Sequence, residues 1–135
     1  MIQYQIENNL SLEDFRKVLI SSTLGERRPV NDESRLRKML EGANLIVTAR
    51  IDGEIVGVAR SLSDFTYCTY LSDLAVDERF QKMGIGKELI RKTKSETGDA
   101  KLILLSAPKA IAYYPKIGMK RHEHCFFIDT QEEIK

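Results

Sequence analysis

Leu74-Ala75-Val76-Asp77-Glu78-Arg79-Phe80-Gln81-Lys82-Met83-Gly84-Ile85-Gly86-Lys87 is the stretch that decides how this chain folds. Leu74, Ala75 and Val76 read as the end of a buried strand, the residues after them as a short polar loop, and the glycines as the start of a helix that buries Ile85, Leu89, Ile90 and Thr93. The first amides of a helix have no internal acceptor and point outward, with the partial positive charge of the helix dipole behind them. Glycines remove the side chains that would hold an anion off, so the loop offers a seat for a diphosphate, with Lys82 and Lys87 adding charge at its rim. Two glycines by themselves describe a tight helix start equally well. A Rossmann or Walker loop fits less well, because the third glycine is absent and no Gly-Lys-Ser/Thr occurs.

Working back from this stretch, a strand from about Tyr67 to Val76 follows a hairpin. Leu45-Ile46-Val47-Thr48-Ala49 and Ile55-Val56-Gly57-Val58-Ala59 flank Asp52-Gly53, the pair a two-residue type I′ turn favours. Before it, Asn31 or Asp32 caps a helix with Leu36, Met39 and Leu40 on one face, ended by Gly42. Ser11, with Asp14 in the place of a capping-box acid, starts another carrying Leu12, Phe15, Val18 and Leu19, broken by Gly25 to Val30 with Pro29 as the stop. Ile2, Tyr4 and Ile6 alternate as a half-buried strand does. Working forward, the glycine-start helix stops at Gly98. Lys101-Leu102-Ile103-Leu104-Leu105 reads as a strand covered on both faces. A short helix covers roughly Pro108 to Lys116, in which Pro115 should kink or end the helix. Phe126-Phe127-Ile128 reads as a last strand, and the residues from Asp129 on as a frayed polar tail. The order β-α-α-β-β-β-α-β-α-β gives an α/β (mixed α+β) class with a mixed sheet and helices on its faces.

The chain has 135 residues, 42% hydrophobic and 30% charged, which fits one domain spanning 1–135. A net charge of +1 gives no basic footprint for nucleic acid. Cys68 and Cys125 are far apart, with no Cys-x-x-Cys spacing, so neither zinc nor a disulfide is expected, and Cys125 reads as core. His122 and His124, two apart, read as one inward and one outward side chain rather than metal ligands. The N-terminus has neither the basic region nor the apolar core of a signal peptide, and no run approaches a membrane span. A reducing cytoplasm is the expected setting.

Gln81-x-x-Gly84-x-Gly86 resembles the pyrophosphate loop of the GNAT superfamily of N-acetyltransferases, Gln/Arg-x-x-Gly-x-Gly/Ala; many members have glycine where Lys82 stands. Asp52-Gly53-Glu54-Ile55-Val56-Gly57 looks like that family's second hairpin, and Leu74-Ala75-Val76 like the end of its fourth strand. Ala110-Ile111-Ala112-Tyr113-Tyr114-Pro115-Lys116-Ile117-Gly118-Met119 is similar to its Ala-x-x-(Phe/Tyr)-Tyr-x-x-x-Gly-Phe helix, with Met119 in place of the phenylalanine. The matches fall in family order along nearly the whole chain.

The resemblance implies a central, mostly antiparallel sheet with one splayed parallel pair, and acetyl-CoA as the cosubstrate. Pantetheine would pair with backbone of Leu74 and Val76, beside Ala75. Gln81, Lys82, Met83, Gly84, Ile85, Gly86 and Lys87 would bind the pyrophosphate. The Leu74 N–H would polarise the thioester oxygen. An amine attacks directly in a ternary complex, with no metal. An alkylammonium near pKa ~10.4 lies about 3.4 units above neutral, so freeing the amine costs roughly 4.6 kcal/mol. Asp73 is the candidate base, with pairing to an arginine as its other reading. Tyr114 matches the family's acid for the departing thiolate, and Tyr113 reads as packing. Arg28, Asp64, Phe65 and Tyr70 would face a small-molecule or peptide amine, and exposed loop or sheet packing is the other reading for each. A non-catalytic acyl-CoA-binding module is the alternative function, a longer acyl group a third, and a homodimer the expected assembly.

Overall fold

A computed structural model describes all 135 residues, in two compact units, Met1–Leu105 and Ser106–Lys135. The first unit contains β1 (Ile2–Ile6), α1 (Leu12–Ser21), α2 (Glu33–Gly42), β2 (Leu45–Ile51), β3 (Glu54–Ser63), β4 (Cys68–Val76), α3 (Ile85–Glu96) and β5 (Lys101–Ile103). The sheet runs β1-β2-β3-β4-β5 and is antiparallel except for the parallel pair β4-β5. The sheet is mixed, as the element order predicts, and mostly antiparallel, as the resemblance implies.

Local chemistry starts each element. The Ser11 hydroxyl accepts the Asp14 amide at the start of α1, and the Asp32 carboxylate accepts the Arg35 amide at the start of α2. Asp52 and Gly53 both take positive φ, 49° and 83°, as a type I′ turn requires. The sheet then presents two apolar faces. Ile46, Ile55 and Val58 pack with Phe15 and Leu19 of α1 and Leu36 of α2. Val47, Val56 and Ala59 pack with Ile85 and Leu89 of α3. Gly57 lets α3 approach closely, because a Cβ there would lie 3.0 Å from Leu89 Cδ1 and 3.1 Å from Ile85 Cγ2.

One extra residue interrupts the ladder at two places. Ala49 faces Gly57 but Arg50 faces Ile55, leaving Val56 bulged; Arg60 faces Asp73 but Ser61 faces Leu71, leaving Ser72 bulged. The second bulge exchanges the faces of β4. Leu71 packs in the α3 cluster, whereas Ala75, four residues later, packs in the α1–α2 cluster. Regular alternation would have placed both on one side.

The structure corrects the expected strand Lys101-Leu102-Ile103-Leu104-Leu105. Only Lys101–Ile103 is strand; Leu102 and Leu104 lean on the α3 cluster, while Ile103 and Leu105 are exposed. A run of consecutive apolar residues does not distinguish one covered face from two.

The second unit holds a 3₁₀ turn at Pro108–Ala110, the single-turn helix α4 (Tyr113–Lys116) and a 3₁₀ turn at Gln131–Glu133. The continuous helix expected from Pro108 to Lys116 is therefore two pieces. Because α4 starts at Tyr113, Pro115 lies in its first turn, where no amide donor is needed, and it neither kinks nor ends a longer helix. Gly118 at φ 98° closes α4, with its amide on the Pro115 carbonyl (3.1 Å) and that of Met119 on Tyr114 (3.0 Å). That is a Schellman cap, and it accounts for the glycine. Phe126-Phe127-Ile128 is exposed and forms no strand. Cys125 is exposed rather than core, and so are both His122 and His124. No helix of the protein is long and apolar enough to cross a membrane.

Arg50 ties three segments of the first unit together. Its guanidinium donates to Glu7 Oε1 (2.9 Å) and Oε2 (2.6 Å), beyond β1, and to Asp14 Oδ2 (2.8 Å) on α1. The Arg50 hydrogen bonds are the first cause holding the Glu7 carboxyl at about 2, below its usual 4.5, with Gln5 and Thr48 also donating. A depressed carboxyl contributes stability that is complete above its unfolded value and lost as pH falls through the folded one. Thermal unfolding should therefore show a declining midpoint between pH 4.5 and about 2, and Glu7→Gln should flatten that decline.

Candidate functional site

Three features of the first unit meet around the C-terminal half of β4. The first is a free strand edge. Parallel pairing joins Cys68, Thr69 and Tyr70 to Lys101, Leu102 and Ile103. There β5 ends while β4 continues to Val76, so beyond Tyr70 no strand runs along this side of β4. Asp77 donates to the Val56 carbonyl (2.8 Å). By the alternation of an antiparallel ladder, Ala75 exchanges its bonds with Val58, and the N–H groups of Leu74 and Val76 point away from β3 into the vacated side. The Val76 carbonyl accepts Gln81 Nε2 (3.1 Å), which ties the following loop to the strand end.

The second feature is that loop. The Asp77 carboxylate caps the 3₁₀ turn Glu78–Phe80, accepting the Arg79 amide (2.9 Å) and Arg79 Nη2 (2.8 Å), and the Arg79 side chain is the main cause lowering its pKa. Lys82 then takes φ 67° and Gly84 φ 82°. Both are left-handed conformations, which glycine accepts freely and a residue with a Cβ adopts rarely. Gly84 is the N-cap of α3, and the first helical bond is Glu88 N–H to Gly84 O (3.1 Å). The amides of Ile85, Gly86 and Lys87 are left without intrahelical acceptors. Space is open within 4 Å of where a Gly84 Cβ would project. Ile85 is buried and anchors the helix start, whereas Met83 is exposed. The backbone thus fits a diphosphate, with Lys82 and Lys87 exposed beside it.

The third feature is a buried ion cluster. Asp73 is fully buried, and its two oxygens accept Arg28 Nε and Arg60 Nε. Arg28 also donates to the Ser72 carbonyl (2.9 Å) and the Arg27 carbonyl (2.9 Å), and Arg60 to the Ser72 hydroxyl (3.0 Å) and the Met39 carbonyl (3.0 Å). Asp73 reaches this side because the Ser72 bulge turns it toward the α1–α2 face. The candidate base is thus buried and paired with two arginines, the pairing its other reading describes.

The remaining candidates divide between other places. Asp64 accepts the amides of Tyr67 (2.7 Å), Thr66 (2.9 Å) and Cys68 (3.0 Å), which in that order hold its carboxyl at about 2. It shapes its own loop, and Phe65 beside it takes φ 61°. Tyr70 on β4 stands opposite Leu62 and Ile103 and is partly exposed. Tyr114 belongs to the second unit, where its ring meets Tyr113 edge-on at 5.3 Å, and burial, then Tyr113, raises its pKa above the usual 10. Arg60, Ser72 and Asp77 escaped the sequence reading. Arg60 had a signal: it interrupts the apolar run of β3, two residues after Val58, on a strand that faces Asp73.

A family model for the acetyltransferase (GNAT) domain matches residues 14–129. Solved structures share the fold. A protein assigned as an acetyltransferase from Deinococcus radiodurans R1 is 26% identical with a TM-score of 0.72, over 94% of this chain and 87% of that one. A GNAT-family acetyltransferase from Streptococcus pneumoniae TIGR4 is 19% identical with a TM-score of 0.76, over 96% and 98%. An aminoglycoside N-acetyltransferase solved with CoA is 17% identical with a TM-score of 0.71, over 97% and 95%. No curated protein matches the chain.

Removing the carboxylate charge from the cluster should destabilise the fold. Asp73→Asn leaves Arg60, only 6% exposed, without its ion pair. Breaking a buried pair from one side costs about 3–5 kcal/mol. Urea denaturation should show a loss of that size, and Asp73→Glu, which overfills the site, should recover only part of it.

Proposed function

Since this chain belongs to the GNAT acetyltransferase family, we propose that it transfers an acetyl group from acetyl-CoA to a primary amine by direct attack in a ternary complex. The observation that carries the proposal is the free edge of β4, where the Leu74 and Val76 amides face a side with no strand. A pantetheine amide chain has the donors and acceptors to pair there as an added strand would. The Leu74 N–H would then stabilise charge developing on the thioester oxygen, an effect worth a few kcal/mol when the donor is preorganised. The amides at the start of α3 and the Lys82 and Lys87 ammonium groups would hold the pyrophosphate. Acetyl-CoA supplies the activated acyl group; the chain supplies position and electrostatics.

Asp73 is engaged by two arginines, so we assign the ammonium proton to a water relay rather than to that carboxylate. Tyr114 is assigned as the acid that protonates the leaving thiolate. Its raised pKa keeps the phenol protonated across the neutral and mildly alkaline range. The amine would be a small molecule or a peptide, met by the connection between α1 and α2 and by Asp64, Phe65 and Tyr70. Aminoglycosides belong in the first panel of acceptors, because an aminoglycoside acetyltransferase from an uncultured soil metagenomic sample, solved with sisomicin, shares the fold. A single domain over 1–135, acting in the cytoplasm as a homodimer, completes the reading.

The second reading is a non-catalytic acyl-CoA-binding module, favoured by the sequestration of Asp73. Thiol release from acetyl-CoA with a panel of amines separates the two: turnover with any amine establishes the enzyme, and tight binding without release establishes the module. Gly84→Val should abolish acetyl-CoA binding in calorimetry with the circular dichroism spectrum unchanged, since valine is strained at φ 82° and obstructs the helix start. Unchanged affinity would overturn the loop assignment.

Tyr114→Phe removes only the hydroxyl. Turnover should fall about 10²–10⁴-fold with acetyl-CoA affinity kept, while Tyr113→Phe should be nearly silent. Because burial raises the Tyr114 pKa above its usual value, the wild-type rate should show no loss from its deprotonation across the neutral and mildly alkaline range. Wild-type turnover in Tyr114→Phe, under conditions where chemistry limits the rate, would reject the acid role.

A further inference from the structure

We infer that Arg28 is a positioning residue that holds the β4 bulge in the register presenting the Leu74 amide to the acyl group, and not a substrate contact. The inference rests on the acetyl-CoA reading above. Each guanidinium nitrogen of Arg28 donates within the chain: Nε to Asp73, Nη2 to the Ser72 carbonyl (2.9 Å) and Nη1 to the Arg27 carbonyl (2.9 Å). Two of these three partners are the bulged residue Ser72 and its neighbour Asp73. Arg60 grips the same two residues from β3, through the Ser72 hydroxyl and the other Asp73 oxygen. The bulge is thus fastened from both sides.

What the bulge decides is which amides face the free edge. Upstream, the parallel ladder begins with Lys101 N–H on the Tyr67 carbonyl (3.0 Å), so by alternation the odd-numbered residues of β4 turn their backbone groups toward β5. Downstream of Ser72 the even-numbered Leu74 and Val76 do so. Without the extra residue, Asp73 and Ala75 would present their amides instead, and the Asp73 side chain would face α3. A bulged residue leaves its own backbone groups outside the regular ladder, and the Arg28 fork satisfies the Ser72 carbonyl. Arg28 reaches β4 from the segment just after the 3₁₀ turn Leu24–Arg27, so it also fastens that connection to the strand.

Amide NMR with acetyl-CoA as the probe tests this without knowledge of the acceptor. In the wild type, acetyl-CoA should move both the Leu74 resonance and those of Ile85, Gly86 and Lys87. In Arg28→Met the Leu74 response should be lost while the helix-start response persists. Arg28→Lys keeps the charge and loses the fork, so it should restore part of the Leu74 response; it also serves if Arg28→Met does not fold. A general loss of structure would move all these resonances together. An unaltered Leu74 response in folded Arg28→Met, or in Arg28→Lys if only that variant folds, would overturn the positioning role and leave the cofactor reading standing. Absence of any wild-type response at Ile85, Gly86 and Lys87 would instead overturn the cofactor reading, and the inference with it.

Discussion

The first unit depends on one buried carboxylate having somewhere to put its charge. Asp73 is out of contact with water, and an unpaired ion there would be untenable. Its two guanidinium partners come from different parts of the chain: Arg60 from β3 and Arg28 from the connection between α1 and α2. Satisfying the charge therefore fixes the register of the β3-β4 pair and ties that connection to the strand. A hydrophobic cluster at the same place could fill volume equally well, but it would not specify which residue is bulged. Register at a bulge is a difference of one residue, and directional, charge-assisted bonds discriminate at that scale where apolar packing does not.

The bulge links this cluster to the proposed chemistry. A strand that pairs regularly on both sides has no free amides, and one that simply ends offers them at random depth. Here β4 is paired with β3 through its last residues while β5 stops after three, so the free groups lie on a strand held rigid from the other side. The glycine-started helix follows after eight intervening residues, shaped by Asp77 and by Gln81 on the Val76 carbonyl. Both backbone parts of the proposed acetyl-CoA site thus rest on main-chain geometry. Such a site tolerates wide variation of side chains, provided glycine remains where φ is positive and the strand register holds.

That dependence on the main chain explains what was legible in the sequence. Asp52-Gly53 fixed a turn type because only certain residues accept its dihedrals. Gly84 marked a helix start for the same reason, and the resemblance around it carried the family. Ser72 gave no such sign. A bulge of this kind needs neither glycine nor proline, so it shows only once both strands are in register. Asp73 was visible as a polar residue in an apolar strand, but its partners come from elsewhere in the chain, and without them base and structural ion look alike. Arg28 was placed at the substrate because its segment adjoins the site in the family; its donors proved to be turned inward.

The C-terminal segment failed for another reason. Phe126-Phe127-Ile128 has the composition of a strand, yet strand formation is decided by what lies alongside, and here it stands exposed without a ladder partner. Pro115 misled in the opposite sense. A proline is a helix breaker only relative to a helix that began well before it, and α4 begins two residues earlier. The boundary, not the residue, determined its effect, and Gly118 held the better information because its cap geometry requires φ 98° whatever precedes it. Positions defined by backbone dihedrals read reliably from sequence, whereas positions defined by a distant partner do not. The parts of this protein that would bind acetyl-CoA are mostly of the first kind, whereas the residues that would choose the amine, Asp64, Phe65 and Tyr70 among them, would act through side chains whose partner lies outside the chain. A sequence of this fold therefore announces its cosubstrate more readily than its acceptor.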